Sequence, residues 1–350
     1  MKKQIENIVL CVIAIVLTTM AVILLRRTYG IKIIELLWGI IVGAVIIYIY
    51  TILHESMHCL AAYIFSIKLI YAQAFHIRYF FSEKKLRISR NHQFYGNSGS
   101  CFALPDWYTT KVQWLGFIIA PLLFNLIVVG AAFYFRYGVF SDDRVFCVIY
   151  YVSMIICIWS FIPLEGTDAY YIFLFLFRKE EFETIFQTLV LHYAQVFSDD
   201  AYQSFHVDSY DYLNRIKSLE IKRDYLEAVL TTQSLRMYQK GLESCVPLTK
   251  VLESEARENY EEGEASYKGI YLFYLYMKGE AVNKVEELYR LFSDELDSSE
   301  ECAACFLHRL LGRSADTSEM ETSIAKEKIC FEELGICDAY HDISRMYMEI

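Results

Sequence analysis

Proline is scarce, 4 in 350 residues, and glycine is little commoner at 15, which excludes collagen-like, low-complexity and disordered classes. A basic stripe is missing. The chain carries 33 Lys and Arg against 43 Asp and Glu, net −10, so no nucleic-acid partner is expected, because phosphate recognition needs clustered cations. No second C-x-x-C accompanies Cys302-Ala303-Ala304-Cys305, and a zinc clip built from it with His308, Cys330, Cys337 or His341 is not expected. The 10 cysteines are irregularly spaced, and Cys11, Cys59, Cys147 and Cys157 lie in apolar runs where a thiol behaves as a small hydrophobe; they read as reduced. A clean 34-residue repeat is also absent.

What the chain does have is apolar length. Hydrophobic residues make up 55% and mean hydropathy is +0.27. Ile8–Leu25 is an 18-residue apolar run with no small-x-small cleavage signal after it, so it reads as a retained membrane helix. Further runs cover Ile33–Leu53, Val112–Phe135 and Val145–Phe177, the last interrupted by Pro163-Leu164-Glu165-Gly166-Thr167-Asp168. At 1.5 Å per residue about 20 residues span the hydrocarbon, and the count gives four crossings. Lys and Arg in the 66–111 loop place that loop and both termini on the cytosolic side, although Arg26, Arg27 and Lys32 vote the other way. Ile67–Phe81 and Lys85–Ser89 mix alternation with β-branched and aromatic residues, which predicts a loop or β-hairpin at about 66–111.

Composition changes after Arg178. Residues 1–178 hold 15 basic and 9 acidic side chains, +6, whereas 179–350 hold 18 and 34, −16. The second half shows helical periodicity, as in Tyr267–Met277, Val282–Phe292 and Ile324–Leu334, separated by turns such as Lys278-Gly279-Glu280. The expected fold class is therefore an all-α polytopic membrane protein with a small β element, followed by a soluble helical domain at 179–350 that reads as degenerate helical hairpins.

The chemistry is concentrated in His54-Glu55-Ser56-Met57-His58, an H-E-x-x-H pattern. On a helix the histidines at i and i+4 share a face and can reach one zinc ion, while Glu55 is turned towards a water whose proton it can take. The plain alternative is a pair of interfacial histidines satisfied by neighbouring backbone and tyrosines. Against it, two His and a Glu adjoining an apolar span are costly unless they face a cavity or a ligand. A catalytic zinc needs a third protein ligand. His54 lies 21 residues after Ile33 and Asp168 lies 23 after Val145, so parallel second and fourth crossings would bring both to one depth, roughly 15 Å below the cytosolic helix ends. Glu165 or Asp168 can serve, and either can instead cap the helix that resumes near Thr167. His76, His92, His192 and His206 have no ligand-like spacing and read as surface or packing residues.

These residues resemble the site-2 proteases, polytopic zinc metalloproteases that cut transmembrane segments. His54-Glu55-Ser56-Met57-His58-Cys59-Leu60-Ala61-Ala62 is similar to the family's H-E-x-x-H followed by small residues. Ser160-Phe161-Ile162-Pro163 leading to Thr167-Asp168-Ala169-Tyr170-Tyr171-Ile172 resembles its later Asn-x-x-Pro stretch ending in Asp-Gly, with Ser160 for the Asn and Ala169 for the Gly. Ala120-Pro121 and Asn125 resemble its middle core helix, and residues 67–89 its membrane-associated β segment. The resemblance covers about residues 33–177. It implies zinc held by His54, His58 and Asp168, with Glu165 as alternate, Glu55 as general base, and a transmembrane or signal-peptide-like substrate at a bacterial cytoplasmic membrane. For 179–350 the expected role is a cytosolic substrate or adaptor platform. A different class stays open: a non-catalytic membrane protein whose metal site is structural and which assists peptide processing or export.

Overall fold

The computed structural model describes residues 33–75, 77–82, 85–90, 99–106, 108–140, 144–164, 166–197, 213–242, 248–297, 302–311 and 346. The expected first crossing and the periodic stretch at 324–334 lie outside them, as do Glu165, His76, His92 and His206. The described chain is mostly helical with one small sheet.

Helix α1, Ile33–Phe65, is a 33-residue run without proline. It ends in a Schellman arrangement: Ser66 takes a left-handed φ of 58°, the Ile67 amide donates to the Ala62 carbonyl at 2.9 Å and the Ser66 amide to Tyr63. Ile67 and Ala62 then pack in one cluster, the apolar contact that usually accompanies this cap. The reversal sends the chain into β1 (Lys68–Ala74), followed by β2 (Ile77–Ser82), β3 (Lys85–Arg90) and β4 (Gly99–Leu104). The sheet is antiparallel in the order β3-β2-β1-β4. More than a hairpin forms, because β4 returns to pair with β1 from Lys68↔Leu104 to Ala74↔Gly99 across a bulge at Leu69/Tyr71. Ala72 and Ala74 are fully buried.

Thr110 and Gln113 start α2 (Lys111–Tyr134) with a reciprocal capping box: the Thr110 amide donates to Gln113 Oε1 at 2.8 Å, and the Gln113 amide to Thr110 Oγ1 at 3.2 Å. A π-helical turn, Phe135–Val139, extends it. Among the described residues two helices are long and apolar enough to cross a membrane, over Ile41–Phe65 and Lys111–Val139. The fourth apolar run is two shorter helices, α3 (Arg144–Ser160) and α4 (Asp168–Phe177). They break where Pro163 lacks a helical N–H and Gly166 takes a left-handed φ of 82°. Then come α5 (Lys179–Phe197), α6 (Leu219–Lys240), α7 (Lys250–Glu258), α8 (Ala265–Met277), α9 (Val282–Arg290), α10 (Ser293–Asp297) and α11 (Cys302–Leu310).

The described residues form two compact units. The first comprises Leu123–Trp159 and the chain up to Leu53. Its helices leave Trp38, Ile41, Val45, Ile47 and Ile127 exposed. The second comprises His54–Leu122 and the chain from Ser160. It has two apolar cores. One joins Ala61, Ala62, Leu69, Trp114, Phe117, Leu174, Phe182, Phe186 and Val190. The other is built around α6 and α8, with Leu191 of α5 entering it. Gly116 allows α2 to close on α1, since a Cβ there would stand 2.6 Å from the Phe65 ring.

Candidate metal centre

His54 and His58 project from one face of α1 as the four-residue spacing requires, their ring centroids 5.4 Å apart. Asp168 arrives from the other side as the first residue of α4. Thr167 caps that helix, its side chain accepting from the Tyr170 amide at 3.3 Å, so the aspartate is released from capping and turns to the histidines. Asp168 Oδ2 lies 3.2 Å from His54 Nε2 and 3.3 Å from His58 Nε2. The three donor atoms stand within 4.8 Å of one another, the only such trio among the described residues. Two donors on a tetrahedral zinc, each about 2.0–2.1 Å from the ion, stand about 3.3 Å apart, so the donor types and the two His–Asp separations fit that metal.

Glu55 is 4% exposed, and its Oε2 has no hydrogen-bond partner among the described residues. It sits in the electrostatic field of both histidines and Asp168. Leaving a buried polar atom without a partner costs about 1–3 kcal/mol, and more for a charged group such as a carboxylate. The structure thus brings together His54, His58 and Asp168 with Glu55 beside them. The alternate ligand Glu165 is outside the described residues.

Two features of the surroundings were not legible in the sequence. Cys101 of β4 lies within electrostatic range of Glu55, Cys59 and Asp168, so the edge strand of the sheet passes beside the site. Phe117 of α2 packs against His58 with ring centroids 4.9 Å apart. Cys59, Cys101, Cys147 and Cys157 are free thiols. Elsewhere, His192 meets Gln195 at 3.2 Å and His308 meets Asp297 at 3.2 Å, and neither belongs to a donor trio among the described residues. Comparison with protein-family models, with curated proteins and with solved structures returned no match.

Proposed function

We propose that the protein is an intramembrane zinc metalloprotease, similar in kind to the site-2 proteases, that hydrolyses a peptide bond in a membrane-embedded or signal-peptide-like segment. The observation that carries this reading is the convergence of two imidazoles and a carboxylate at 3.2 and 3.3 Å beside a buried glutamate. His54, His58 and Asp168 are the residues that would hold the ion. A zinc ion held there would supply Lewis acidity, which polarises a peptide carbonyl and brings the pKa of a water towards neutrality. Glu55 takes the proton released as that water attacks the carbonyl carbon, then returns it to the amide nitrogen as the C–N bond breaks. The products are a carboxylate and an amine, so atoms and protons balance.

The apolar outer surface and the two membrane-length helices support an integral membrane location. The finer topology belongs to the same reading: four crossings with both termini cytosolic in a bacterial cytoplasmic membrane, a membrane core at 1–178, and a cytosolic helical platform at 179–350. A helical substrate must unwind locally, because its carbonyls are already hydrogen-bonded and cannot be attacked in place.

Glu55→Gln separates this reading from a structural metal site in a processing or export partner. Turnover of a reconstituted transmembrane substrate should fall by about 10²–10⁴, the usual worth of a general base, with zinc content unchanged. Unaltered cleavage or export function in that variant would remove the proteolytic role.

A further inference from the structure

A metal-binding imidazole ordinarily has its second ring nitrogen fixed by an acceptor, which sets tautomer and ring orientation. His58 departs from this. Its Nε2 faces Asp168, but its Nδ1 is buried and has no hydrogen-bond partner among the described residues. Ring packing can hold an imidazole as well as a hydrogen bond can.

The neighbouring packing supplies it. Phe117 lies on His58 at 4.9 Å with its plane tilted 43°, and Trp114 stacks on Phe117 at 5.0 Å and 23°. Trp114 in turn meets Phe186 of α5 at 6.4 Å. All three side chains are 4–5% exposed, so each is held on every side. The helix carrying Asp168 is tied to the same element, because Phe175 of α4 meets Phe182 of α5 edge-on at 5.2 Å. Lys111 at the start of α2 pairs with Glu183 of α5 at 2.5 Å. The opposite end of α5 is anchored in the helical core: Leu191 packs there, and Gln195 Nε2 donates to Thr232 Oγ1 of α6 at 2.8 Å.

We infer that Phe117, Trp114 and Phe186 form an aromatic support that positions the His58 imidazole, and that α5 is the element through which the C-terminal helices set the geometry of the site. These are positioning residues, since none needs to touch a substrate. The inference rests on the metal-site reading above. Coupling by this route needs no moving ligand. A displacement of α5 alters the ring stack beneath one donor and the helix that carries another.

The test uses the full-length protein in detergent. Zinc affinity is measured by chelator competition and ligand geometry by the visible absorption of the cobalt-substituted form, for wild type, Phe117→Leu, Phe117→Tyr and Phe186→Leu. Loss of a group that orients a ligand typically costs 10–100-fold in metal affinity. Phe117→Leu should weaken zinc by about that factor and shift the cobalt band. Phe117→Tyr, which keeps the ring, should stay near wild type. Phe186→Leu, remote from the imidazole, should shift the band in the same sense while apoprotein melting is held, and it decides the matter if Phe117→Leu does not fold. Wild-type affinity and band position in both leucine variants would overturn the inference while leaving the metal site standing. A wild-type protein that binds no zinc would overturn the site reading and this inference with it.

Discussion

Single side chains carry most of the chemistry, and some of it reaches beyond the site. His192 on α5 is held below the ordinary imidazole pKa of 6.5, burial being the larger cause and the Gln195 hydrogen bond a partial offset. The folded protein therefore binds fewer protons at this position than the unfolded chain as pH falls through 6.5. Its stability should decline as the pH drops below that value, and His192→Gln should flatten the slope. Thermal unfolding of both proteins in detergent at about pH 7.5 and 5.5 checks this. A wild type and variant with the same pH dependence would contradict it. At this scale the sequence was informative where local geometry fixes the outcome. His54 and His58 share a face because any helix puts i and i+4 together. Asp168 was one of two acids that the sequence offered as a third donor, and it is the one that meets both histidines among the described residues. Phe117 gave no signal, since α2 is apolar all round and periodicity cannot say which aromatic faces a histidine.

Elements owe their positions to their ends. The reversal at Ser66 turns α1 into β1, so that β4 can pair alongside and bring Cys101 to the site. A non-glycine residue in the left-handed region is strained. Ser66→Gly should relieve that strain and stabilise the protein by about 0.5–1 kcal/mol, read as a raised melting temperature in detergent. A lowered melting temperature would show that the Ser66 side chain matters more than its backbone. The break between α3 and α4 was legible, because Pro163 and Gly166 have local consequences. Strand β4 was not. Its six residues have little alternation, and its place beside β1 depends on pairing across an intervening hairpin, which no short window of sequence encodes.

At the scale of the molecule, charge and packing divide the chain in different places. Composition changes sign after Arg178, which reports contact with water. Packing carries Phe182, Phe186 and Val190 of α5 into the same core as α1, β1 and α2, so the first helix of the acidic half is also part of the site's support. Helix α6 is joined to it by a buried polar contact that sequence periodicity cannot reveal, Gln195 with Thr232, and α7 is joined to α6 in turn by the part-buried pair Lys222 and Glu255 at 2.6 Å. If residues 179–350 act as a substrate platform, deleting 200–350 should abolish cleavage of the native substrate. Unchanged cleavage would remove that role. The central claim is that His54, His58 and Asp168 hold a zinc ion, and metal content tests it most directly. Elemental analysis of protein purified without added metal should give about one zinc per chain in wild type and in Glu55→Gln, and almost none in His54→Ala or Asp168→Ala. Zinc absent from the wild type, leaving a hydrogen-bonded His–Asp–His bridge, or retained in full after loss of Asp168, would contradict the account.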